Sequence, residues 1–283
     1  MLDAYLLPLL TACLVKAEHI LGDGPWTPTN ALQALLIDNG PELRSLLSRL
    51  PDGMLKAIGS TSADAINDFL ARHGLAIRLP PFGADEFGTA AVLNMLARWR
   101  VPGTRAMIDV ETARRGRFVS YPAVALAGEN VDVEETASGA RVYLPKTDGL
   151  TIAIVPAVSL ADGLDVLQGP RRAGPPIAGL TFPMIDADDV VDVSWLIGLR
   201  HGHSHLSDAV AQVKIRVNHL GAHAKAGAAV RISRSAGGPE QVTINSPFVL
   251  AVLVDGEVAF AAHLPETTWK EPPDLGERGA TTW

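Results

Sequence analysis

The chain has one cysteine, Cys13, among its 283 residues. That count excludes an intrachain disulfide framework, so the fold must be held by buried apolar surface, and the redox compartment stays undecided. No apolar stretch reaches the roughly 20 residues that cross a bilayer as a helix, so no membrane partner is expected. Basic runs are absent and the formal net charge is −7, so nucleic acid is not an expected partner either. Also missing are a phosphate-cradling glycine loop, a nucleophile elbow and a paired-cysteine metal site. The motifs therefore point to no enzyme, no cofactor and no metal. What is present is a chain 47% hydrophobic, neither disordered nor fibrous and long enough for a substantial core.

The N-terminus holds an apolar run from Leu6 to Val15, in which Leu10-Thr11-Ala12-Cys13 is similar to a lipoprotein cleavage box. Asp3 stands where such a signal carries Lys or Arg, and Pro8 breaks the run. A buried helix is the expected state.

Residues 1–80 read as mainly helical. Thr29-Asn30 caps an apolar-periodic run through Ile37, Pro41 opens a second over Leu43, Leu46, Leu47 and Leu50, and residues 63–73 form a third. Strands dominate from residue 90 onward. Two apolar arms flank Asp148-Gly149, and two more, residues 248–254 and 258–262, flank Asp255-Gly256, both being hairpin signals. The second pair is almost continuously apolar, which places it centrally and buries both its faces. Residues 192–199 suggest a short helix capped by Asp192, and residues 270–283 a loose tail.

Two clusters carry possible chemistry. His201, His203 and His205 alternate, as a strand offering three imidazoles to zinc would require, but a solvated loop is the expected state. Asp186, Asp188, Asp189 and Asp192 lack the glycine and terminal glutamate of a calcium loop and read as a solvated turn.

Residues 221–232, GAHAKAGAAVRI, show a different pattern. Ala222, Ala224, Ala226, Ala228, Val230 and Ile232 form one alternating set, and His223, Lys225 and Arg231 fall in the other. This is the period of a strand with one buried face, yet alanine and glycine are poor strand formers.

The segment VTINSPFVLAV (residues 242–252) resembles the signature of the serpin protease inhibitors. QVKIRVNHLGA (212–222) looks like the serpin strand running into the hinge of the reactive loop. LTFP (180–183) with residues 192–199, and VLNMLARW (92–99) ending in Trp99, are similar to further family stretches in family order. The resemblance covers residues 88–268. It implies an α+β fold: one serpin-like domain over 1–269, with N-terminal helices, a large central mixed sheet and a buried C-terminal hairpin.

The resemblance also implies that residues 221–240 are a reactive loop with its hinge at Gly221, cut by a serine protease and inserted into the central sheet as a strand. The inward set would be Ala222, Ala224, Ala226, Ala228, Val230 and Ile232. Burying Val and Ile is worth roughly 1.5–3 kcal/mol each, and an alanine methyl about 0.8. The opposite register would bury Arg231, Lys225 and His223 at several kcal/mol per unpaired charge. Family spacing places the cut at Ser235-Ala236, within one residue. Arg234-Ser235 is preferred, because an arginine there attracts a trypsin-like protease. A monomer is expected, and an extracellular or cytoplasmic location is left open.

The chain departs from the family pattern at several points. His219 replaces the hinge glutamate, Lys225 enters the loop, Ala211 replaces a sheet histidine, and Ala262-His263 replaces Gly-Arg. The N-terminal part is short, without a recognisable Ser-Pro-Leu-Ser segment. Three readings follow: a serpin-like inhibitor, a non-inhibitory serpin-fold binding protein, and a histidine-cluster metal protein or enzyme.

Overall fold

A computed structural model of the chain describes every residue except 1, 52, 76, 95–97, 112–115, 222–238 and 274–283. The N-terminal elements are β1 (Asp3–Tyr5), α1 (Leu7–Leu21), β2 (Trp26–Thr27), α2 (Ala31–Asp38), α3 (Gly40–Leu47), β3 (Leu55–Ser60) and α4 (Ala63–Arg72). There follow β4 (Glu86–Asn94), β5 (Arg98–Trp99), β6 (Thr104–Glu111), β7 (Phe118–Ala127), β8 (Val131–Thr136), β9 (Arg141–Pro145), β10 (Thr147–Asp148) and β11 (Thr151–Pro156). The remainder is α5 (Leu160–Gln168), β12 (Arg171–Ala173), β13 (Gly179–Pro183), β14 (Ile185–Val191), β15 (Arg200–His201), β16 (Ser204–Val217), β17 (Gln241–Thr243), β18 (Phe248–Val254) and β19 (Glu257–Leu264).

The strands form three main sheets, with orders β1-β19-β18-β11-β9-β8-β12, β17-β13-β7-β6 and β2-β15-β16-β4-β3. This is the expected α+β class. The apolar hairpin β18–β19 sits inside the seven-stranded sheet, and both faces of β18 are covered. One face joins Ile152, Ile154 and Phe260 in the main core. The other packs Val249 and Ala251 against Leu160 and Leu167 of α5. Continuous apolarity is what a strand buried on two sides requires. Helix α5 lies so close to β18 that a Cβ on Gly163 would come within 2.4 Å of Val249 Cγ2.

Helix starts follow their caps. Asn30 Oδ1 accepts from Gln33 N at 2.9 Å, and the Ser62 side chain accepts from Ala65 N. Pro8, which interrupts the apolar run in the sequence, sits in the first turn of α1, where its missing N–H costs nothing. Buried Gln33 reaches from α2 to donate to the carbonyls of Trp195, Leu196 and Ile197, which ties α2 to the sheet-rich part.

Several local expectations need correction. The N-terminal part carries strands as well as helices, because β3 completes the edge of the six-stranded sheet. Residues 192–199 form one 3-10 turn, Ser194–Leu196. Its N-cap is Val193 rather than Asp192, whose Oδ1 accepts from Ser194 N at 2.9 Å, and Gly198 at φ 85° ends it before an α-helix can form. The acidic run is not a solvated turn. It is strand β14, and Asp186 and Asp188 pair with Arg216 and Lys214 of β16 at 3.1 and 3.5 Å. Of the tail, residues 270–273 are described and Glu271 pairs with Arg105 at 2.7 Å.

Gly163→Ala should destabilise the fold by about 1–3 kcal/mol through overpacking against Val249. Urea denaturation would show it as a lower midpoint with an unchanged slope.

Candidate functional site

Strand β16 alternates apolar and polar residues. Ala211, Val213, Ile215 and Val217 turn into the core beneath the sheet. Val210, Gln212, Lys214 and Arg216 turn to the opposite face. Along one edge β16 pairs antiparallel with β14, and along the other it runs parallel to β4, from His205↔Glu86 to Lys214↔Asn94. The β4–β16 seam therefore lies in the middle of the six-stranded sheet, with its two strands hydrogen-bonded to each other.

Helix α1 backs the seam. Cys13, Leu14 and Ala17 share the core with Ala91, Leu93, Ala211 and Val213. Burial pushes the Cys13 thiol up to about 12, a pull that its hydrogen bond with Thr89 of β4 only partly offsets. Such a thiol is packing, with no nucleophilic role. On the opposite face α4 and the segment after it cover the seam, with Ile66, Phe69, Leu70, Leu75 and Leu79 clustered on Ala90, Val92 and Val210. Asn67 holds that segment by exchanging hydrogen bonds with the Leu79 backbone, 2.7 Å from Leu79 N and 3.1 Å to Leu79 O. Lys214 Nζ donates to His73 O at 3.2 Å, tying α4 to β16. Gln212 Nε2 donates to Asp188 Oδ1 at 2.6 Å, while buried Gln212 Oε1 has no hydrogen-bond partner among the described residues.

The chain leaves β16 through a fixed exit. Asn218 and Gly221 exchange backbone hydrogen bonds at 3.1 Å, and Leu220 N donates to Asn218 Oδ1 at 2.8 Å. Gly103 N donates to His219 O at 2.7 Å, and buried Trp99 donates Nε1–H to Asn218 O at 2.9 Å. Gly221 has φ 109°, a conformation that L side chains rarely adopt. The re-entry point is fixed too. Ala178 N donates to Glu240 O at 2.8 Å, Arg141 pairs with Glu240 at 2.9 Å, and β17 runs parallel to β13.

Solved structures are similar in overall fold. Serpin48 of the insect Tenebrio molitor matches with a TM-score of 0.57 at 14% identity, over 93% of this chain and 91% of that chain. The fold is the serpin fold. Human thyroxine-binding globulin complexed with thyroxine has a TM-score of 0.59 at 10% identity, over 96% and 93% of the two chains. Mouse protein-Z dependent protease inhibitor has 0.56 at 11%, over 93% and 90%. No protein-family model and no curated protein matches the chain. Both a protease inhibitor and a thyroxine-binding globulin thus share this serpin fold, and fold alone does not choose between them.

Of the expected loop residues, Gly221 is placed at the exit from β16. Ala222, Ala224, Ala226, Ala228, Val230, Ile232, Arg234 and Ser235 lie outside the described residues. The histidine cluster does not converge. His201 is buried, with its ring edge-on to Trp26 at 4.6 Å, rather than in a solvated loop. His203 lies in the turn, and His205 faces Glu86 at 3.7 Å. No set of three metal-ligating side chains is assembled among the described residues. Trp26 instead donates Nε1–H to Glu18 at 2.6 Å, and Glu18 is also gripped by Arg44. Sequence reading missed the α4 cover and the β14–β16 ion pairs. The usable signal was the two-residue spacing shared by Asp186, Asp188 and Lys214, Arg216.

Trp99→Phe keeps the ring but loses the bond to Asn218 O, and should cost about 1 kcal/mol in urea denaturation. The Arg44 guanidinium holds the Glu18 carboxyl below its ordinary range. That pairing therefore stabilises the fold above about pH 4.3 and is lost as pH falls through the lower folded value. Glu18→Gln should flatten this acid-side loss in melting temperature measured from about pH 5 to pH 3.

Proposed function

We propose that the chain inhibits a serine protease by presenting residues 221–240 as bait and taking the cut loop up as a new strand between β4 and β16. The observation that carries this reading is the parallel β4–β16 pair directly below the exit at Gly221. A chain turning back at Gly221 and lying in the seam would run antiparallel to both neighbours. One parallel ladder would be exchanged for two antiparallel ones, and parallel pairing is the weaker per residue.

The alternating pattern of the loop suits that seam. The inward set Ala222, Ala224, Ala226, Ala228, Val230 and Ile232 would meet the core face, where small side chains fit over Ala91 and Ala211. The outward set, with His223, Lys225 and Arg231, would meet the face that carries Gln212, Lys214 and Asp188 beside the apolar patch of Ala90, Val92 and Val210. Insertion also requires α4 and the segment after it to lift from Ala90, Val92 and Val210. The bait is Arg234, whose guanidinium suits the acidic specificity pocket of a trypsin-like protease. Attack of the protease serine on the Arg234 carbonyl would form an acyl ester and break the Arg234–Ser235 bond, with the Ser235 amine leaving, and insertion would carry the acylated protease away before water hydrolyses the ester.

A second reading, a binding protein that carries a ligand without inhibiting, is favoured by the thyroxine-binding globulin complexes, one of which has a TM-score of 0.61.

Incubation with trypsin separates the two. The inhibitor reading expects stoichiometric loss of trypsin activity, an SDS-resistant complex, and its loss in Arg234→Ala. Loop-cleaved protein should melt roughly 10 °C or more higher, a domain of this size gaining about 2–4 °C per kcal/mol. Cleavage with no complex and an unchanged melting temperature would leave the carrier reading.

A further inference from the structure

Helix α1 rests on β3 where Gly59 meets Ala17, so closely that a Cβ on Gly59 would lie 2.7 Å from Ala17 N. Beside this contact α1, α3 and β3 enclose a solvent-open cleft of about 450 Å³. Ala12, Val15 and Lys16 come from one stripe of α1, Leu47 from α3, and Leu55 and Ala57 from one face of β3. Among the described residues, the charged side chains in its lining are Lys16 and Arg44, both cations, and the other lining side chains are apolar.

The two cations differ. Arg44 is held at the rim by Glu18, with NH1 2.8 Å from Oε2, so its charge is balanced. Lys16 is exposed and makes no ion pair among the described residues. In a chain of net charge −7, the described lining thus joins an apolar floor to a lysine with no ion pair among the described residues. The larger cleft beside α5, about 650 Å³, lacks this preference. Its lining includes Glu42 and Glu257 as well as Arg171, and Arg171 is committed to Glu134 at 2.7 Å.

We infer that the cleft between α1, α3 and β3 binds a free single-chain alkyl anion such as an alkyl carboxylate. The chain lies on Val15, Leu47, Leu55 and Ala57, and the head group sits at Lys16. Its volume falls in the range of small-molecule sites, about 300–1,000 Å³, and such sites are mostly apolar with a few polar anchors. Lysine suits an exposed anionic head, because its ammonium is a hydrated point charge on a flexible stem.

Calorimetric titration of the full chain with monomeric laurate tests the assignment, with dodecyltrimethylammonium as the charge-reversed probe. Laurate should saturate one site, the cation should not, and shorter carboxylates should bind about fourfold more weakly per methylene removed. Lys16→Glu should weaken laurate about tenfold without moving the melting temperature. Val15→Trp, which fills the cleft from a partly exposed helix face, should abolish binding. Absence of laurate binding, equal binding by wild type and both variants, or a preference for the cation would each overturn the inference.

Discussion

Strand β16 presents incompatible chemistries on alternate residues, and the surrounding elements are placed by the need to satisfy each. Ala211, Val213, Ile215 and Val217 must leave water, which brings α1 and the C-terminal hairpin beneath the sheet. Gln212, Lys214 and Arg216 must find partners on the opposite side, which requires β14 with Asp186 and Asp188 alongside. A slip of one residue would bury two cations and expose the apolar set, so the register is strongly specified. With β14 fixed on one edge, β4 is the neighbour left on the other, and the parallel seam follows.

The seam is closed by packing more than by charge. The Asp188–Lys214 and Asp186–Arg216 pairs retain partial exposure, and pairs of that kind contribute little to stability. Apolar burial on both faces, by α1 below and by the Ile66–Phe69–Leu70 cluster above, contributes more. The polar half of the seam is less complete, since Gln212 Oε1 is buried without a partner among the described residues and buried orphan acceptors cost free energy. The seam is thus well packed at one level and imperfectly satisfied at the next.

Legibility followed the range of the interaction. The helix cap at Asn30, the helix over 63–73 and the central apolar hairpin could all be read locally, because each depends on residues a few positions apart. The role of Asp186 and Asp188 could not. Four acids within seven residues look solvated until Lys214 and Arg216, nearly thirty positions later, are set opposite them. His201 was misread for the same reason, its burial being decided by Trp26, far away in the chain. Pro8 looked like a break in an apolar run and proved to be a helix start.

By itself the sequence placed the N-terminal helices and the hairpin buried on two sides, since periodicity follows from backbone geometry alone. Tertiary structure decided which strands are neighbours. Only the fold shows that β4 and β16 lie side by side beneath Gly221, that α4 covers them, and that Lys16 overlooks an apolar cleft. Those facts depend on contacts between residues remote in sequence, and no local pattern encodes them.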